Sequence, residues 1–370
     1  MNVFVRPASY DWPHLKGEFD ALMDRLGGRE AIRKGMRVLV KPNLLSAAKP
    51  GQAVLTHPLV VRAAVEYILE RGARPEVGDS QAIGSFDRIL RENGIDQALE
   101  GLPVTVREFR DSVPVDVGPP FGKIELAREV LTADAVLNLP KLKTHSQMAM
   151  TLGVKNLFGC VVGYRKAEWH LRAGVDRDVF ARLLVGIART VRPAFTIMDG
   201  ILAMEGEGPG KSGTPRALGI LLASENPFAL DEAVCRIVGL PPEKLPTWRA
   251  GQEAGLPGEE VAIDGETPEV RGFRIPGAEP LLFGNASMNS LVRRHLLQRP
   301  VCAPESCTLC GICRDMCPVK AIAVEEAGLR FDYDACIRCY CCIEVCPCGA
   351  LRTAEPLMGR MLRPVVKRFV

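Results

Sequence analysis

The cysteines are the residues whose type and spacing carry chemistry most directly in this chain. Thirteen are present, and eleven fall between Cys302 and Cys348, leaving only Cys160 and Cys235 in the first 300 residues. Cys307, Cys310, Cys313 and Cys317, followed by Pro318, read C-x2-C-x2-C-x3-C-P. Cys336, Cys339, Cys342 and Cys346, followed by Pro347, repeat the pattern at an offset of 29 residues. Three thiolates so spaced wrap one corner of an iron–sulfur cubane, and the duplication provides for two cubanes. The competing zinc ribbons pair two C-x2-C knuckles across a longer gap, whereas here third and fourth cysteines follow at fixed spacing. A disulfide framework is the weaker reading, because Asp11, Glu18 and Asp20 interrupt any apolar signal segment in Met1 to Gly28.

The double run resembles a bacterial-type dicluster ferredoxin domain over about residues 300 to 355. The arrangement implies crossed ligation, in which each half lends its fourth cysteine to the other. Cys307, Cys310, Cys313 and Cys346 then hold one 4Fe-4S cluster, and Cys336, Cys339, Cys342 and Cys317 hold the second. Each proline ends its run, since it cannot continue a helix. Cys302, Cys341 and Cys348 are left over and read as spare thiols near the clusters, with an alternative ligand as the sharper role. Ile312, Val319, Ile322, Ile337, Ile343 and Val345 are expected to form the small core.

A second group of reactive side chains needs elements to position it. Strands are expected at Arg37–Lys41, Pro75–Gly78, Ala133–Leu139, Ala194–Met198 and Leu218–Ala223. Helices are expected at Leu59–Arg71, Phe86–Asn93, Asp176–Val191 and Phe228–Val238. Strands and helices alternating at this pace give an α/β fold, a layered domain with a largely parallel sheet, joined to the small C-terminal ferredoxin-like α+β domain. The expected domains are residues 1–298, 299–356 and a tail, 357–370. Polar residues gather where the strands end: Lys41 and Asn43, Asp79 and Ser80, Lys141, Lys143 and His145, and Asp199. Ligands of open α/β sheets sit at the carboxyl ends of strands. Lys41, Asn43, Asp79, Lys141, Lys143 and Lys155 are therefore candidate binders of a small anionic substrate, with Thr144 and backbone amides adding donors. His145 and Asp199 are the candidate proton-handling residues. The bland alternative is a set of solvated turn residues.

Several segments resemble the family of proteins containing domain of unknown function 362. They are Lys41-Pro42-Asn43, Thr56-His57-Pro58, Gly78-Asp79-Ser80, Asn138 to His145, Gly153 to Asn156, Met198-Asp199-Gly200 and Ala223 to Asp231, in that order over about residues 35 to 240. The resemblance implies a fold distantly similar to nickel-pincer lactate racemases, and many members also resemble this chain in carrying the ferredoxin module. The paired catalytic histidines of that enzyme are not seen in this sequence, so no racemase chemistry is implied.

The remaining features exclude more than they add. The segment Glu205 to Gly213 (EGEGPGKSG) lacks the first glycine of a Walker loop and is followed by Thr214-Pro215 and a strand, so it reads as a flexible lid. No G-x-G-x-x-G fingerprint follows a strand, so nothing signals NAD or ATP. Cys160 reads as an inert core thiol, and the basic segment Gly359 to Val370 as a frayed terminus. The formal net charge of +3 argues against a nucleic-acid binder living on bulk charge. No run reaches the ~18 apolar residues of a membrane helix. The expectation is a cytoplasmic iron–sulfur protein that passes electrons from an unidentified redox partner to a site in the α/β domain. The alternative is a non-catalytic electron carrier or a cofactor-assembly protein.

Overall fold

The computed structural model describes residues 1–276 and 298–356 except Ile83, Tyr164, Gly174 and Val175, and also Met358. The basic segment from Gly359 onward lies outside the described residues. Twelve strands come from the first 276 residues: β1 Asn2–Pro7, β2 Arg37–Pro42, β3 Arg74–Asp79, β4 Thr105–Glu108, β5 Ser112–Asp116, β6 Lys123–Ala127, β7 Ala135–Leu139, β8 Lys141–His145, β9 Ala149–Thr151, β10 Phe195–Gly206, β11 Gly213–Ser224 and β12 Ala262–Gly265. Ten of them form one sheet in the order β12-β1-β11-β10-β7-β2-β3-β4, with β8 beside β10 and β9 beside β8.

The sheet is largely parallel. Its centre β10-β7-β2-β3-β4 is parallel throughout, and antiparallel pairing enters at β10–β11, β11–β1 and β8–β9. β2 (RVLVKP) is buried at all but its first residue, as expected of a strand covered on both faces. Helices Trp12–Arg25 and Pro58–Glu70 pack one side through Leu15, Phe19, Val61 and Tyr67. Helix Arg177–Val191 covers the other through Phe180, Leu184 and Ile187. Pro58 opens its helix at the first turn, where the missing N–H costs nothing. Asp176 and Asn226 cap their helices by accepting from the following backbone amides.

The expected elements are present, and two are longer than the apolar runs alone indicated. β10 and β11 extend through the glycine-rich segment as a hairpin. That segment is therefore no free lid. Glu205 pairs with Arg216 and Arg274, and the loop between β10 and β11 is held down at both ends.

The cysteine-rich part has four strands, β13 Arg299–Cys302, β14 Ile322–Glu325, β15 Gly328–Phe331 and β16 Leu351–Ala354. They pair as β13–β16 and β14–β15, with one-turn helices Ile312–Asp315 and Cys341–Glu344 between them. The sequence repeat is a repeat of backbone geometry. Leu309 and Arg338, Gly311 and Tyr340, and Lys320 and Gly349 all take positive φ, at the same 29-residue offset. Leu309, Arg338, Tyr340 and Lys320 bear side chains there, a conformation that costs energy and is kept only where the surroundings demand it. Its core contains Ile322 and Ile343 as expected, together with Tyr340, Ala350 and Leu351.

Candidate functional site: a cavity between the sheet and the cysteine domain

Because β2, β3, β7 and β10 run parallel, their carboxyl ends share one edge of the sheet. The lysines at that edge are fully buried. Lys41, Lys141 and Lys143 are each at most 1% exposed, which the sequence did not indicate. Buried lysines persist only with compensation. Lys41 Nζ lies 2.9 Å from Asp79 Oδ1 and donates to the Pro42 carbonyl at 2.7 Å. Asp79 also accepts the amides of Leu44 and Ser80, both at 2.8 Å. Lys143 donates to Asn43 Oδ1 at 2.9 Å and to the Val54 carbonyl at 2.6 Å. Asn43 in turn donates to Asn156 and Asn156 to Asn138, each at 2.8 Å, tying β2, β7 and the turn at Gly153–Asn156 together.

A cavity of about 90 Å³ lies at this edge, lined by Asn43, Asp79, Lys143, His145, Lys155 and Lys166 from the sheet side. Met316, Cys341, Glu344 and Val345 of the cysteine domain complete its wall. Besides His145 Nε2 and Glu344 Oε1, which face each other without hydrogen-bond geometry, three lining groups have unused polar atoms. Thr151 Oγ1 and His170 Nδ1 are buried without a hydrogen bond, and Lys155 has no hydrogen-bond or ion-pair partner among the described residues. Lys155 is only 9% exposed, with its ammonium 5.8 and 5.9 Å from the rings of Phe158 and Phe180. Burial lowers its pKa, against the pull of Glu344. Burial likewise lowers Lys143 and Lys166 to about 7. Lys166 donates to Ser80 Oγ at 2.8 Å.

His145 is held as a neutral ring. Its Nδ1 accepts the amides of Gln147 and Met148 at 3.0 and 3.3 Å, so the proton sits on Nε2, which faces Glu344 Oε1 at 2.8 Å. Burial, with Lys155 nearby, lowers its pKa to about 4. Burial also takes His170, wedged between Phe158 and Phe180, to about 3. Buried Glu344 stays ionised, its pKa driven down by His145 and Lys155.

The structure divides the expected site residues. Asn43, Asp79, Lys143, His145 and Lys155 line the cavity, with Lys41 directly behind Asp79. Lys141 and Asp199 do not line it. They are register partners on β8 and β10, joined at 2.7 Å, and are sealed by Tyr10 and His57. Tyr10 donates to Asp199 at 2.8 Å and stacks on His57 at 3.6 Å, and the His57 amide donates to Asp199 at 2.9 Å. The spacing of Lys141 and Lys143 put both on one strand face, but their partners lie on different neighbours. Sequence reasoning missed Tyr10 and Glu344. Neither stands in a local pattern with the residues it meets.

The glycine-rich loop explains how the two domains meet. Ser212 Oγ donates to the carbonyls of Gly349 and Leu351 at 3.1 and 2.7 Å, and Glu207 accepts from Thr353. A side chain at Gly210 would stand 3.0 Å from the Glu344 carbonyl, and one at Gly208 would stand 2.3 Å from that of Thr144. Glycine is required there for close approach of backbone to backbone.

None of the thirteen cysteines, all of which lie among the described residues, forms a disulfide. Cys307, Cys310, Cys313 and Cys346 surround one void, with Cys348 at its rim, and Cys317, Cys336, Cys339 and Cys342 surround another, with Cys341 beside them. No three or more His, Cys, Asp or Glu among the described residues could hold a single metal ion. Each quartet instead encloses space, which fits a cluster better than a zinc ion. The amides of Ala321 and Ala350 donate to Cys317 Sγ and Cys346 Sγ, both at 3.2 Å, as suits thiolate ligands.

These features define a protein with an α/β sheet domain and an iron–sulfur domain meeting at a lysine-rich cavity. Residues 38–236 match the family model "domain of unknown function (DUF362)", and residues 299–347 match a 4Fe-4S dicluster domain. The chain belongs to the DUF362 family. It is 42% identical over 253 residues to the thylakoid-associated protein sll1697 of Synechocystis sp., covering 68% of this chain and 78% of that protein. The lactate racemase apoprotein of Thermoanaerobacterium thermosaccharolyticum gives a TM-score of 0.42 at 12% identity, over 64% of this chain and 56% of the racemase. No helix of the described residues is long and apolar enough to cross a membrane.

Proposed function

We propose that this protein carries electrons through two 4Fe-4S clusters to a small anionic substrate bound in the interdomain cavity. Cys307, Cys310, Cys313 and Cys346 would hold one cluster, and Cys317, Cys336, Cys339 and Cys342 the other. When bound, such clusters supply one-electron transfer and leave substrate chemistry to the neighbouring site. The observation that carries the reading is Lys155. It is a buried lysine without a hydrogen-bond or ion-pair partner among the described residues, in a cavity whose far wall belongs to the cysteine domain, and an anion bound beside it would favour its charged form against the lowering effect of burial. Lys143, Lys166 and the unused Thr151 hydroxyl add donors around the same space. His145, a neutral ring whose Nε2 faces Glu344, serves in this reading to position that carboxylate at the cavity wall and not as the source of a proton. Lys41 and Asp79 brace the lysine-lined wall. Lys141 and Asp199, committed to each other and to Tyr10, brace β8 against β10 and take no part in binding. We place the chain in the cytoplasm, the reducing compartment that suits cysteines without disulfides. Association with thylakoids is said of the relative alone.

Protein purified without oxygen is expected to contain close to eight iron and eight sulfide per chain, roughly the content of two cubanes. Cys317→Ser should disturb the cluster of Cys336, Cys339 and Cys342. Loss confined to the cluster of Cys307 would refute the crossed ligation. Inorganic phosphate should raise the thermal midpoint of the wild type and not that of Lys155→Met. Equal stabilisation of both would remove the anion from the cavity.

A further inference from the structure

Cys341 borders two spaces at once. It lines the interdomain cavity together with Lys155 and Glu344, and it lines the void enclosed by Cys317, Cys336, Cys339 and Cys342. It is buried, and so are its neighbours Cys339 and Cys342. The other quartet is open at one corner: Cys310 is exposed, with Leu309 39% exposed beside it and Cys348 exposed at the rim, while Cys313 and Cys346 are buried. None of the residues around that outer void lines the cavity. The two cysteine quartets are thus inequivalent despite their matching sequences. The void of one shares Cys341 with the cavity, whereas the void of the other shares no lining residue with it and approaches its wall only through Cys346, the residue after Val345.

The charges across that wall bear on each other. Lys155 is the only cavity lysine without a hydrogen-bond or ion-pair partner among the described residues; the groups that favour its charge are Glu344 and Cys341, both from the helix turn that carries Cys342, and Lys143, His145 and His170 also lie within its field. Buried among Phe158 and Phe180, it acts through little intervening water, so its field is weakly screened.

We propose that Lys155 couples the anion site to the cluster held by Cys317, Cys336, Cys339 and Cys342, so that the cavity binds its anion more weakly when that cluster is reduced than when it is oxidised. The proposal rests on the anion-site reading above. An electron added to the inner quartet makes that side of the wall more negative and competes with the anion for the field of Lys155. Binding and reduction oppose each other by one and the same factor, because linkage is reciprocal. Two unit charges roughly 10 Å apart at an effective dielectric near 20 interact by an amount worth on the order of tenfold in affinity. The outer quartet, whose void shares no lining residue with the cavity and is open to solvent at one corner, is the entry port for an external one-electron carrier and does not respond to the anion.

The test uses the cluster-loaded chain and phosphate as the probe anion. Redox titration followed by electron paramagnetic resonance, with Cys310→Ser and Cys336→Ser identifying the two signals, reads each cluster separately. Phosphate should lower the potential of the inner cluster alone, and its affinity should fall about tenfold on reduction. Lys155→Met, measured without phosphate, should also lower the inner potential alone, and Lys155→Arg should restore it. Equal shifts in both clusters, or phosphate binding with no shift in either, would overturn the coupling. Phosphate failing to bind the oxidised wild type would refute the anion site, and the Lys155→Met measurement would then decide the coupling by itself. If Lys155→Met fails to fold, the inner potential of the wild type with and without phosphate decides it instead.

Discussion

Lys41→Met tests how the cavity wall is held. Lys41 is fully buried and Asp79 nearly so, and the pair stands at 2.9 Å. Methionine keeps the length of the side chain, so the variant removes charge without opening a cavity. Asp79 would retain the amides of Leu44 and Ser80, and the Pro42 carbonyl would lose its donor. Breaking a buried pair from one side costs about 3–5 kcal/mol, mostly the burden of the uncompensated charge left behind. For a domain of this size that is a fall in thermal midpoint of roughly 6–20 °C. The assay is the midpoint of the α/β domain by calorimetry and by urea, with cluster absorbance followed in parallel to separate the two domains. The double variant Lys41→Met with Asp79→Asn should recover more than half of the loss, because neither charge is then stranded. A single variant that loses less than about 1 kcal/mol, the range of an exposed pair, would refute the argument. A double variant no better than the single one would do the same.

Two further outcomes follow from the same geometry. His145 and His170 have folded pKa values lowered by burial to about 4 and about 3, so between those values and 6.5 the unfolded chain binds more protons than the folded one. Stability should therefore fall as pH drops from about 6.5 toward 4. Asp231, which burial raises to about 8, has the opposite sign over the whole of this range, so the contrast to measure is the shallower acid slope of His170→Phe against the wild type. An unchanged slope would show that His170 is not the group taking up protons. Gly210→Val should wedge the β10–β11 loop away from the Glu344 carbonyl, leaving iron content intact while raising the rate of proteolysis between the domains. Unaltered proteolysis would mean that the loop does not clasp the cysteine domain.

The sequence alone determined the elements, the α/β class and the cysteine quartets, and the reason in each case is that the information is local. Alternating apolar runs and helical spacing mark β2, β3, β7 and their helices, since burial on both faces demands a continuous apolar strand. Cysteine spacing carries the cluster loops, because a short loop must wrap one corner of a cubane and its backbone geometry repeats with its sequence. Parallel strands also made the gathering of Lys41, Asp79 and Lys143 at one edge legible in outline. What only the tertiary structure decided is which charges meet. Lys141 and Lys143 are equivalent on the strand, yet one pairs with Asp199 on β10 and the other donates to Asn43 and Val54, and only the latter reaches the cavity. Glu344 and Cys341 become cavity residues because the glycine-rich loop lets the cysteine domain dock there, a contact between segments more than a hundred residues apart. Pairing of buried charges depends on distance through space and on the loss of water around them, and neither quantity is written in the order of residues along the chain.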